Sequence, residues 1–403
     1  MVIGDLHFEP LLGLLRTADW LNEPTYWLVG VVIVALIVAS IIGQTLKRQP
    51  ENTVSPALLR TFNQRVRAWW MMFAILAAGL LLGYTCTIVL FGFVSFWALR
   101  EFITMTPTRR GDHRTLFWVF FIFTPIQYVL VGVGNSLVEP KTPSAVWWAD
   151  TFGLRGVDLY GLYSIMIPVY ASLYIPARIA LSGDARRFLE RSAKIQFSLL
   201  ICVYSLSFAP AIAHLNLLTS KPAVSNSSMS TGDVTPIQKV TNEEPSVAAT
   251  EETEAQSTRT RRRWEEGGRA GLLFYFILIV QLSDVFQYAW GKLLGQRVIA
   301  PHINASRTWE GFVGGALTTA IVGALLWWVT PFRIWEAACM AFVTAVMGSA
   351  GGMTMSAIKR DRGVTDTGTL VQGHAGVLDR IDSICFAAPV FFHLTRYFFS
   401  DLT

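Results

Sequence analysis

AWWMMFAILAAGLLLGYTCTIVLFGFVSFWAL, residues 68–99, runs for 32 residues without a charged side chain. A helix crosses ~30 Å of hydrocarbon with roughly 17–25 residues, so the stretch is long for one span and suits two helices of a bundle. Gly83 stands at its middle and offers a turn. The reading is a tight hairpin of two membrane helices, Trp69–Tyr84 and Thr85–Leu99. Similar apolar runs recur on either side of it. They are Trp27–Gly43, Leu116–Leu137, Leu159–Leu181, Ile195–Leu217, Ala270–Trp290, Phe312–Val329, Trp335–Ala350 and Ile384–Phe399. The expectation is an all-α, polytopic integral membrane protein with about ten transmembrane helices.

Composition agrees. Of 403 residues, 52% are hydrophobic and 15% charged, whereas soluble domains carry about a quarter charged. The net charge of +5 is modest, and nucleic acid is not an expected partner. Cys86, Cys202, Cys339 and Cys385 are scattered singly in apolar runs, without the spacing of a zinc site or a disulfide framework. Acidic residues precede the first run and Lys47 and Arg48 follow it, which reads as an anchor rather than a cleaved leader.

Loop charge sets the orientation. Arginines and lysines crowd loops 44–68, 100–115 and 182–194, whereas loops 138–158 and 330–334 are poor in them. With ten spans every base-rich short loop falls on one side, the cytoplasm. Dropping one member of the hairpin would invert half the loops. The chain divides into helices 1–6 over residues 1–218, a polar segment at 219–268, and further helices over 269–403. The middle segment is rich in Ser, Thr, Pro and Glu and cannot bury a core, so disorder is expected there.

Polar residues beside the spans concentrate in two places on the expected cytoplasmic side. SDVFQYAWGKLLGQRVIAPHINASRTWEGFVGG, residues 283–315, places Asp284, Gln287, Tyr288 and Gly291 on one helix face. It continues through Arg307 to Thr308 at a glycine-rich helix start, a setting that suits phosphate. SAIKRDRGVTDTGTLVQGHAGVLDRIDS, residues 356–383, sets Lys359, Arg360, Arg362 and Arg380 against Asp361, Asp366, Asp379 and Asp382, with His374 among glycines. Clustered carboxylates bind hard cations such as Mg²⁺, and fixed bases grip phosphates. That combination beside a membrane suits phosphoryl or nucleotidyl transfer to a lipid.

At these residues the sequence resembles the CDP-diacylglycerol synthases, the phosphatidate cytidylyltransferases. Ser356, Lys359, Arg360, Asp366, Gly368, His374, Gly376, Asp379, Arg380 and Asp382 fall at the spacing of the family signature. Upstream, Asp284, Pro301, Ile303, Thr308, Trp309, Glu310 and Gly311 are similar to a second family motif. Gly351 and Gly352 resemble the eukaryotic form, where many bacterial members have an aspartate. The likeness covers roughly the last 120 residues. Thr365 stands in place of the family's lysine, Gln372 and Ala375 in place of proline and glycine, Arg307 in place of lysine, and Asn304-Ala305 in place of Ser-Pro.

The resemblance implies that CTP and phosphatidic acid give CDP-diacylglycerol and pyrophosphate, with Mg²⁺ as cofactor. It implies Asp366 and Asp379 as the leading metal ligands, helped by Asp382, and catalytic roles for Asp366, Asp379, His374 and Lys359. Ser356, Arg360, Arg380, Asp284, Arg307 and Thr308 would bind substrate, and Arg362 would substitute only in part for the missing lysine. The site is expected on the cytoplasmic face of the cell membrane, in contact with the bilayer, and the family leaves room for a homodimer. The competing readings are a polytopic transporter or channel, from Asp284 near a helix end, and a CTP-dependent enzyme with another lipid acceptor.

Overall fold

Ten helical rods, among the described residues, stand where the sequence places ten apolar runs. The structure, a computed structural model, describes residues 23–47, 56–106, 109–138, 159–215, 217–218, 268–364 and 376–400. The 219–268 segment, apart from its last residue, lies outside them. Helix α1 is Glu23–Lys47, α2 is Pro56–Leu81 and α3 is Tyr84–Met105. Residues 113–138 form α4, Tyr160–Ala180 forms α5 and Phe188–Ile212 forms α6, each with one π-helical turn inside it. Seven described helices are long and apolar enough to cross a membrane. The apolar stretches Trp69–Leu81 and Trp309–Leu325 are shorter. The last helix, α10, Leu378–Phe399, has 22 residues but carries charges near both ends. The protein is an all-α polytopic membrane protein.

The predicted hairpin is present. Gly83 adopts φ 100°, a conformation that side chains with a Cβ rarely reach. Across the turn, the Thr87 hydroxyl donates to the Gly79 carbonyl at 3.0 Å. Trp70 Nε1 donates to Ser40 Oγ at 3.0 Å and ties α2 to α1. Deeper in the first half, Gln127 Nε2 donates to the Tyr163 carbonyl and to Ser207 Oγ, both at 3.1 Å. One buried amide thereby links α4, α5 and α6 where packing against lipid supplies little hydrophobic drive.

The basic loops also make tertiary contacts. Arg191, 6% exposed, is paired with Asp112 and donates through Nη1 to the Asp184 carbonyl at 2.9 Å. Arg109 reaches Asp184 Oδ2 at 2.8 Å. The Arg109 hydrogen bond, then the Arg186 backbone N–H, hold the Asp184 carboxyl below its ordinary range. These contacts staple the loop before α4 to the loop before α6.

The last four helices are α7, Gly268–Leu293, α8, Trp309–Leu325, α9, Ile334–Asp361, and α10. Between α7 and α8 lies a small antiparallel hairpin, β1 Val298–Ala300 with β2 Asn304–Thr308, paired Val298 to Thr308 and Ala300 to Asn304. The sequence reading did not foresee it. Nor does α9 stop at Ala350 as the hydropathy suggests; it runs on through Ser356 to Asp361. Nothing breaks the helix until Gly363, at φ 69°. Lys359 and Arg360 in its last turn suit the negative end of the helix dipole. The first part of the signature is therefore a helix protruding from the apolar run, and Leu378–Ser383 is the opening of α10.

Trp309, Val313, Leu317, Ile321 and Leu325 form one exposed stripe along α8, while Gly315, Ala316, Thr319 and Gly323 are buried on the other side. A stripe of this length would be a liability in water and matches hydrocarbon. If every rod crosses the bilayer, residues 219–268 and the end of α9 lie on opposite faces. Single cysteines at Ser228 and Asp361, in a background lacking the four native cysteines, should label with impermeant reagent from opposite sides. Labelling of both from one side contradicts ten crossings.

Candidate active site

Arg307 on β2 is the point where the elements meet. Its Nη2 donates to Asp284 Oδ1 on α7 at 2.9 Å, and its Nη1 to Gln287 Oε1 at 2.6 Å. The same Gln287 oxygen accepts from Ser349 Oγ on α9 at 2.6 Å. Asp284 Oδ2 accepts from Ser383 Oγ on α10 at 2.7 Å. The Ser383 backbone N–H donates to Asp382 Oδ1 at 2.7 Å. Asp284, Asp379 and Arg307 all lie within electrostatic reach of Asp382. Four elements thus converge on two neighbouring carboxylates and one guanidinium.

Glycine allows α9 to come this close. A Cβ on Gly351 would lie 2.5 Å from the Asp382 carbonyl oxygen, and one on Gly352 would lie 3.2 Å from Arg307 Nη2. One turn from Asp382 on α10, Asp379 Oδ1 accepts from Lys359 Nζ on α9 at 2.8 Å. Their side chains are 8% and 16% exposed, so this pair is shielded from water far more than a surface ion pair.

The β-hairpin is gripped from α9. Asn304 Nδ2 donates to Ser356 Oγ at 3.2 Å, and Arg360 Nε donates to the Ile303 carbonyl at 3.3 Å. Thr308 is buried, and its hydroxyl caps α8 by accepting from the Gly311 N–H at 3.2 Å. The Arg380 carbonyl accepts from Gln281 on α7 at 3.3 Å. Of the residues marked in the sequence, Asp284, Arg307, Ser356, Lys359, Arg360, Asp379, Arg380 and Asp382 are brought to this one end of the bundle. Asp366 and His374 lie outside the described residues, as do Thr365, Gln372 and Ala375. Arg362 pairs with Asp361 and comes within 3.9 Å of Glu190 on α6. Its guanidinium points toward the first half of the chain.

One residue escapes sequence reasoning. Glu101 on α3 is 4% exposed, and its Oε1 and Oε2 accept from the backbone N–H groups of Val377 and Leu378 at 3.1 and 2.8 Å. The opening N–H groups of a helix have no partner within it, and a carboxylate there also suits the positive end of the dipole. Glu101 therefore caps the helix that carries Asp379 and Asp382, from 276 residues away in the chain. The available signal was an acid directly after the charge-free run, at Arg100-Glu101.

No three acidic, histidine or cysteine side chains form a metal-sized group among the described residues. Asp379 and Asp382 nevertheless share a face of α10, and Mg²⁺ commonly takes one or two carboxylates with substrate phosphates completing its shell. The donor chemistry fits that cation.

Comparison with known proteins bears on what such a site handles. The sequence model of the cytidylyltransferase family matches residues 63–398. An Escherichia coli protein described as uncharacterized protein YnbB is 29% identical over 370 residues, covering 90% of this chain and 95% of that protein. The phosphatidate cytidylyltransferase of Staphylococcus haemolyticus is 34% identical over 120 residues, 29% of this chain and 46% of that enzyme. Its Staphylococcus saprophyticus counterpart is 36% identical over 121 residues, 30% of this chain and 46% of that enzyme. The chain thus spans just under half the length of these enzymes.

Truncating Glu101 to alanine strands the buried N–H of Leu378 and the part-buried N–H of Val377 at the start of α10. The expected cost is roughly 1–3 kcal/mol of unfolding free energy, read from thermal or denaturant unfolding in detergent. Glu101→Gln keeps one acceptor and should recover part of that loss. Wild-type stability in Glu101→Ala would show that the cap contributes nothing.

Proposed function

Because the chain belongs to the cytidylyltransferase family and is a membrane-embedded nucleotidyltransferase, we propose that it transfers a cytidylyl group from CTP to phosphatidic acid. An oxygen of the lipid phosphate forms a bond to the α-phosphorus of CTP. The bond from that phosphorus to the bridging oxygen breaks, and pyrophosphate leaves with the electron pair. CDP-diacylglycerol remains in the membrane. The observation that carries this reading is the convergence of Asp284, Asp379 and Asp382 with Arg307 and Lys359 at one end of an otherwise apolar bundle.

The lipid phosphate is already anionic at neutral pH, so the reaction needs no strong general base. Its difficulty is bringing two polyanions together, which positioning and charge neutralisation overcome. Lys359 holds Asp379 and lies within reach of a phosphate placed over α10. Arg360 and Arg380 flank the same end, and Ser356 fixes the hairpin that presents Arg307. Arg307 and Asp284 orient one another and offer the remaining guanidinium donors to an anion. Thr308 acts through the α8 cap that seats Arg307. His374 would hydrogen-bond a phosphate oxygen or orient a carboxylate. Mg²⁺, when bound, would be held by Asp379 and Asp382 with Asp366, and supplies charge neutralisation of the triphosphate. The excess of arginine and lysine in the short loops supports a cytoplasmic face for this end, with the chain in the cell membrane.

The test supplies purified protein with labelled CTP, phosphatidic acid and Mg²⁺. CDP-diacylglycerol and pyrophosphate should form in equal amounts. Asp379→Asn should lower turnover at least about a hundredfold, on the order of 3 kcal/mol of barrier, with the protein still folded. Absence of a CDP-lipid from phosphatidic acid would overturn the assignment, and a product formed only from another lipid would redirect it.

A further inference from the structure

Gln287 stands outside the family signature, yet its side chain is among the most tightly held at this end of the bundle. It lies on α7 and is 4% exposed. Its Oε1 accepts from Arg307 Nη1 and from Ser349 Oγ, each at 2.6 Å. Its Nε2 lies 3.5 Å from the Ala345 carbonyl oxygen on α9. A guanidinium has donors and no acceptor, so the oxygen of the amide, not its nitrogen, must face Arg307. From α8, Gly315 closes on the same side chain, where a Cβ would fall 2.3 Å from Gln287 Cγ. The amide is held by α9 and by α8, with its oxygen aimed at β2.

A glutamate would fill the same space and accept the same hydrogen bonds. The difference is charge. Arg307 already pairs with Asp284, and Asp379 and Asp382 stand close by with Lys359 as the other cation of the network. A second carboxylate on the guanidinium would cancel the field that draws in a phosphate. A neutral amide fixes the orientation and leaves that field in place. It also suits a fork: an ammonium paired with Asp284 is a point charge and has no planar second arm to be aimed.

We propose that Gln287 is a positioning residue for the transfer reaction, aiming the Arg307 guanidinium at substrate phosphate without discharging it. The proposal rests on the function proposed above and adds a residue that acts on substrate only through Arg307. Ser349 supports it by holding the amide oxygen from α9.

Gln287→Glu keeps size and acceptor and changes charge. Labelled CTP, the most highly charged reactant, is titrated with Mg²⁺ onto the folded variant in detergent, and its affinity should fall at least about tenfold. Wild-type affinity in that variant overturns the proposal. Gln287→Met and Arg307→Lys, singly and together, give a reading that a packing role would not move. Each single change should lower kcat/KM for CTP at least about tenfold, and the pair should lie within about twofold of Arg307→Lys alone, since without the fork nothing is left to aim. Losses that multiply would make Gln287 a packing residue and overturn the proposal. If CTP binds the wild type and is weakened in Gln287→Glu, yet no CDP-lipid forms from phosphatidic acid, the acceptor assigned above falls and the role of Gln287 stands.

Discussion

A carboxylate at the end of a membrane helix must find compensation inside the protein, and at this site Arg307 supplies it. Desolvating an unpaired carboxylate costs several kcal/mol, more than most single contacts return. The guanidinium answers with a fork of donors, one arm to Asp284 and the other to Gln287, a geometry a lysine ammonium cannot reproduce. Ser383 then carries the link from Asp284 to α10. The β-hairpin, the glycine pair on α9 and the α8 cap all serve this arrangement. Each lets backbone or side chain reach the two carboxylates closely enough to balance them.

The first half of the chain carries none of the signature residues, yet it reaches the site from two directions. Glu101 fixes the start of α10, just after the part of the signature that includes Asp366 and His374. Glu190 on α6 approaches Arg362, just before that part. Those two residues therefore meet the signature on either side of its middle part, from helices that carry none of its motif. The cost of losing Glu101 is structural first, and it reaches turnover through the placement of Asp379 and Asp382.

Much of this was legible in the sequence, because lipid imposes length and apolarity on every span. The uncharged run at 68–99 announced its hairpin, and Gly83 marked the turn. The aspartates and bases of the signature announced the chemistry. What could not be read came from tertiary contact. Hydropathy ended α9 at Ala350, since Gly351, Gly352 and the polar residues after them interrupt an apolar run without ending a helix. The short strands carry no alternation long enough to stand out. Glu190 lies far from Arg362 in sequence and approaches it to 3.9 Å, a contact no motif announces. Glu101 had no motif around it, and its partner was a backbone.

The most direct test of the central claim is a double-mutant cycle on Asp284 and Arg307, with unfolding free energy measured in detergent for the wild type, Asp284→Asn, Arg307→Met and the double variant. If the guanidinium is the compensating charge, each single change strands a charge. The double variant should then lose less than the sum of the singles by more than about 1 kcal/mol. Losses that add to within ~0.5 kcal/mol would contradict the account, leaving Arg307 as a neighbour of Asp284 and not the interaction that allows the site to exist.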